Sequence, residues 1–154
     1  MSRSKWGATY EFSSAVRDRH LGCRRGTLMP VTYRYDEFAN RLVTRCEGPI
    51  TYADVVEHFR HLTRDVRLKP NCDVLLDFTF LVAMPTAQQV SQVATALEDM
   101  RELVPFGRCA VVAPEDVMYG LGRMFQGFAW PTFTGMRVFR TQADSINWLN
   151  EEPD

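Results

Sequence analysis

Two short runs of nearly unbroken hydrophobe, residues 74–78 (VLLDF) and 109–113 (CAVVA), constrain this chain more than any other feature. Neither shows the alternation of a strand with one wet face. Each suits a strand covered on both sides, the kind found in parallel sheets flanked by helices. The segments between and after them are patterned for those helices. Thr51-x-x-Asp54 is a capping-box-like start, with Val55, Phe59, Leu62 and Val66 following as an expected buried stripe. Thr86-x-x-Gln89 opens a second helix, expected to run to about Val104 with Val90, Val93, Leu97, Met100 and Val104 on one stripe. Pro114-Glu-Asp116 begins a third, its early proline and two acids placed where the helix dipole favours them. Its expected apolar face is Val117, Leu121, Met124, Phe125 and Phe128. Thr141-x-x-Asp144 caps a fourth, expected to bury Ala143, Ile146 and Leu149.

Ahead of these lie two strands, 31–35 and 41–47, joined by turn-forming residues 36–40 and stopped by Gly48-Pro49; the short connection predicts an antiparallel hairpin. A last strand covers 136–139. The order β-β-α-β-α-β-α-β-α predicts an α/β fold: a single mixed, mostly parallel sheet of about five strands with an N-terminal β-hairpin and about four helices.

Length and composition agree. The chain has 154 residues, the size of one domain, with 45% hydrophobic and 24% charged residues. A formal net charge of −1 gives no strong pull toward nucleic acid or an acidic membrane, and no apolar run is long enough to span a bilayer. Cys23, Cys46, Cys72 and Cys109 form no C-x-x-C pair, so free thiols in a reducing, cytoplasmic setting are expected. Residues 1–28 stand apart: they carry a net +4, leaving −5 for the remainder, and follow neither period. Three readings stay open: a basic tail for an acidic partner, an artefact of start-site choice with Met29 as the true start, or a poorly packed extension. The last is favoured. The domain itself is expected over 29–154.

Catalytic signatures are missing from the sequence. Gly120-x-Gly122 falls inside a helix, which is the wrong place for a phosphate-cradling loop; Gly120 and Gly127 are read as packing sites. Asp54, His58 and His61 share a spacing of i, i+4, i+7, but a metal needs more ligands and a supporting shell, so a solvated polar face is the expectation. No catalytic residue, metal or cofactor is assigned, and no enzyme is expected. Four residues remain as candidates for ligand or partner binding. Asp77 sits near the carboxyl end of the central strand, where open α/β sheets bind ligands; ordering of the next loop is its alternative role. Thr86 is a helix cap or a modifiable hydroxyl. Tyr119 and Arg123 are i, i+4 neighbours on the third helix, able to stack and suited to an interface. Phe78, Phe80, Leu81, Val82 and Met84 make the segment beside Asp77 apolar, either a pocket lining or packing under the second helix.

In order and spacing, Arg41-Leu-Val43, Gly48-Pro-Ile-Thr51, Leu76-Asp-Phe-Thr79, Ala110-Val-Val-Ala-Pro114 with Tyr119-Gly120 and Arg123-Met-Phe125, and Val138-Phe-Arg140 with Trp148-Leu149 resemble the SpoIIAA-like, or STAS-like, bacterial domains. The resemblance runs from about residue 30 to the end. It implies an α/β sheet with helices and a non-enzymatic role, which in the anti-sigma-factor antagonists is partner binding switched by phosphorylation of a serine. Here the matching stretch is Pro85-Thr86-Ala87-Gln88, and the serine position falls on Ala87, which has no hydroxyl. The leading expectation is therefore a regulatory or protein-interaction module, with a protein partner or a second copy of itself in a homodimer. The alternative is a carrier or sensor for a small apolar or lipid-like ligand.

Overall fold

The computed structural model describes residues 29–83 and 85–153. The expectations for residues 1–28, including Cys23, and for Met84 lie outside the described residues. Five strands, β1 (Val31–Asp36), β2 (Arg41–Gly48), β3 (Cys72–Leu81), β4 (Phe106–Val112) and β5 (Gly135–Phe139), lie side by side in sequence order. The β1–β2 pair is antiparallel and the other three pairs are parallel. Asp36 closes the hairpin, its Oδ1 accepting from the backbone N–H of Phe38 and of Ala39, both at 3.0 Å. Asn40 completes the turn at φ 49°, a left-handed conformation that asparagine tolerates.

The helices are α1 (Tyr52–Arg64), α2 (Ala87–Met100), α3 (Asp116–Ala129) and α4 (Gln142–Asn150). The capping boxes at Thr51/Asp54 and Thr86/Gln89 are both formed, and Thr141 Oγ1 accepts from the Asp144 N–H. With strands in sequence order, right-handed crossovers put all three connecting helices on one face of the sheet. That face carries the larger core, which includes Leu42, Val74, Leu97, Phe125 and Met136. The opposite face is covered by α4, whose Leu149 packs with Val43, Leu75, Ala110 and Val112. The mixed sheet, antiparallel hairpin and four helices are as the sequence predicts.

Five details differ. The buried stripe of α1 contains His58, 5% exposed, while Val66 is 97% exposed because the helix ends before it, at Arg64. The helix α2 stops at Met100, four residues early, and turns through 101–103 so that Val104 still reaches the core. On α3 the buried face is Met118, Leu121, Gly122, Phe125 and Ala129, rotated from the expected one; Val117 and Phe128 are exposed. Gly122, rather than Gly120 or Gly127, is the close-packing glycine: a Cβ there would meet Val138 Cγ1 at 2.9 Å, whereas nothing lies within 4 Å at the other two. On α4 the buried residues are Ser145 and Leu149, with Ala143 exposed.

One irregularity shapes the sheet edge. Between the pairs Arg45–Asp77 and Glu47–Phe80, β3 carries one more residue than β2. Asp77 accommodates the bulge, its Oδ1 accepting from the Thr79 backbone N–H at 2.9 Å and from the Thr79 hydroxyl. The extra residue reverses the alternation of β3. Val74, Leu76 and Phe78 face the three-helix side, then Leu81 takes the position that Phe80 would have held. Phe80 is left outside, 4.0 Å under the Arg45 guanidinium.

Candidate functional site

The three-helix face is not filled. A cavity of about 140 Å³ lies between α1, α2 and the sheet. Leu42, Thr44 and Cys46 of β2 and Val74, Leu76 and Phe78 of β3 form its floor. Val55, His58, Phe59 and Leu62 wall it on the α1 side, and Val90, Val93 and Leu97 on the α2 side. Leu121, Phe125 and Phe133 close its far end. The lining residues exposed to solvent are Thr51, Tyr52, Ala83 and Gln89. These belong to the β2–α1 and β3–α2 connections and the first turns of the two helices, so the mouth lies beyond the carboxyl ends of β2 and β3. That is where ligands of open α/β sheets enter.

Among the described residues, no Asp, Glu, Lys or Arg lines the cavity. At its rim, Thr51 and Gln89 have side-chain oxygens engaged in the capping boxes. Inside are two buried polar side chains. Thr44, 3% exposed, points to the cavity side because it lies two residues from both Leu42 and Cys46 and so shares their face, and its Oγ1 has no hydrogen-bond partner among the described residues. Such an orphaned hydroxyl costs about 1–3 kcal/mol. His58 is the other. Its imidazole packs against Tyr33, ring centroids 5.5 Å apart and edge-on, and against Phe59 at 5.9 Å. Burial holds its pKa down at about 4, with the nearby His61 a smaller contribution, so it is neutral at physiological pH. Tyr33 stands directly across the β1–β2 ladder from Thr44, so the two polar groups flank one tyrosine. The Tyr33 hydroxyl itself donates to Asp65 Oδ2 at 2.9 Å. Burial, with the Asp77 charge second, pushes the Cys46 thiol up to about 12, which makes it a packing group rather than a nucleophile.

The four residues singled out from sequence are scattered. Asp77 and Thr86 flank the mouth region in the chain, but neither lines the cavity, and both side chains are occupied, one by the bulge and the other by the α2 cap. Tyr119 and Arg123 do not stack on each other. The Tyr119 ring lies 4.1 Å under the Arg140 guanidinium, and Arg123 donates to Gln126 Oε1 at 2.9 Å. The sequence pattern carries no sign of Thr44 and places His58 on a solvated polar face, whereas His58 is buried. The helical spacing held a signal for His58, since it stands i+3 from Val55 and i−4 from Leu62. Asp54 caps α1 and His61 Nε2 lies 3.2 Å from Glu57, and among the described residues no group of three metal-ligating side chains comes together.

No family model and no curated protein matches this chain. Solved structures do. A chain from the complex of the diguanylate cyclase SiaD with its activator SiaC, from Pseudomonas aeruginosa, is 16% identical, with 79% of this chain and 100% of that one covered, at a TM-score of 0.39. An uncharacterized protein of the DUF3478 family from Shewanella loihica PV-4 is likewise 16% identical, with 82% of this chain and 99% of that one covered, at a TM-score of 0.55. That second match shows the architecture: the chain has a SpoIIAA-like fold.

Proposed function

We propose that this domain is a non-enzymatic binding module whose interior takes a small apolar ligand, as a carrier or sensor would. The observation that carries this reading is the cavity itself, uncharged and lined by aliphatic and aromatic side chains, with its mouth at the carboxyl edge of the parallel strands. A void of about 150 Å³ between apolar side chains accepts benzene, so about 140 Å³ suits one ring or a short aliphatic segment. A larger ligand would leave part of itself in the open mouth.

The test is a titration with benzene followed by backbone amide chemical shifts. Shift changes are expected along Leu42–Cys46, on α1 and on α2, and they should vanish in Val90→Phe, which fills the void from α2. A wild-type spectrum that moves neither with saturating benzene nor with a neutral benzene derivative of similar size would remove this reading. A second reading, a regulatory protein-interaction module, is supported by the exposed apolar side chains of Tyr52, Phe80 and Val82 near the same edge. Tyr119 and Arg123 on α3 are its other contact candidates. Sedimentation of the purified chain, alone and with benzene, separates self-association from ligand binding.

A further inference from the structure

We infer that the ligand of this cavity is a neutral amphiphile, a single ring or short chain bearing one hydroxyl or similar hydrogen-bonding group, held by the Thr44 hydroxyl with the His58 imidazole beside it. The inference rests on the proposed binding role and adds the chemical class of what is bound. Its basis is the mismatch inside an otherwise apolar chamber. Thr44 Oγ1 is buried on the cavity floor and unpartnered among the described residues, whereas the rim oxygens of Thr51 and Gln89 are all used in helix caps. A hydroxyl both donates and accepts, and a neutral imidazole offers one donor and one acceptor, so the pair matches a ligand hydroxyl in either direction. Tyr33, opposite Thr44 on the ladder and in ring contact with His58, places the two polar groups at the same end of the chamber, toward β1 and α1. The remaining walls are apolar, so the rest of the ligand must be apolar too. Among the described residues no charged side chain lines the cavity to compensate an ion, and a buried unpaired charge is strongly disfavoured.

The experiment compares three probes of one size, benzene, phenol and benzoate, by the same amide-shift titration on wild type, Thr44→Val and Thr44→Ser. Phenol is expected to bind wild type more tightly than benzene, against the order that transfer from water would give. Thr44→Val should weaken phenol about 10-fold, which is about 1.4 kcal/mol, while leaving benzene unchanged or tighter. Thr44→Ser should retain the preference, and benzoate should not bind. Phenol no tighter than benzene on wild type overturns the inference and leaves the cavity an apolar site. So does a Thr44→Val variant that keeps its native spectrum and its phenol affinity. No binding of either neutral probe to wild type overturns both this inference and the proposed function.

Discussion

Arg108 on one face of the sheet and Thr44 on the other differ in how their polar atoms are used. On the α4 face, both terminal nitrogens of Arg108 of β4 are engaged. Its Nη1 donates to the carbonyls of Trp148 and Glu151, at 3.1 and 2.9 Å, and its Nη2 to the carbonyl of Leu149 and to Asp73 Oδ2, at 2.8 and 3.0 Å. The other Asp73 oxygen accepts from the Arg108 backbone N–H at 2.7 Å. One guanidinium thus caps the C-terminal end of α4, where unsatisfied carbonyls and the helix dipole both favour a cation. On the three-helix face, Thr44 and His58 are buried and line the cavity, and Thr44 Oγ1 has no hydrogen-bond partner among the described residues. A polar group buried with every bond made fixes structure; one buried with bonds to spare marks a place where something else belongs. Arg108 anchors α4, and under the proposed function the cavity on the three-helix face is the receptacle.

The largest expected effect comes from breaking the anchor. Arg108→Met should lower unfolding stability by roughly 3 kcal/mol in urea denaturation, because it strands the Asp73 carboxylate and the last carbonyls of α4. Arg140→Met, which removes an exposed arginine stacked on Tyr119, should cost under about 1 kcal/mol. Similar losses for the two variants would break the contrast.

The next effect belongs to the receptacle and depends on pH. His58 titrates near 4 when folded and near its ordinary 6.5 when unfolded. Between those values the unfolded chain binds the extra proton, so stability should fall as pH drops from about 6.5 toward 4. The shift corresponds to about 3 kcal/mol at most, and it is full above pH 6.5. His58→Phe should flatten this part of the profile. If the variant and wild type lose stability in parallel over that range, the buried neutral histidine is not the cause.

The smallest expected effect is a gain. Thr44→Val replaces the orphaned hydroxyl by a methyl of the same shape and should raise stability by about 1 kcal/mol. A loss of that size would mean that the hydroxyl has a partner in solution, and it would remove the difference between Thr44 and Arg108.

Much of the fold was legible because the signals are local. The runs at 74–78 and 109–113, the caps at Thr51, Thr86 and Thr141, and the Asp36–Asn40 turn each sit within a few residues of the structure they cause. Helix faces were legible only to within one position, since a stripe read from hydrophobicity alone omits a buried histidine and a buried glycine. His58 and Gly122 lie on those stripes because of what they meet across the core, Tyr33 and Val138. Asp77 was legible as a polar residue out of place, but its role in the bulge depends on the register between β2 and β3.

The sequence by itself determined the order of elements, the mixed sheet and the absence of any local catalytic motif, because periodicity, caps and turns act between near neighbours in the chain. Only the tertiary structure decided that β2, α1 and α2 leave a void between them and that Thr44 and His58 border it. A cavity is a shortfall of volume among residues far apart in sequence. No single segment records how much space its neighbours leave unfilled, or whether a hydroxyl 14 positions before a histidine faces the same gap.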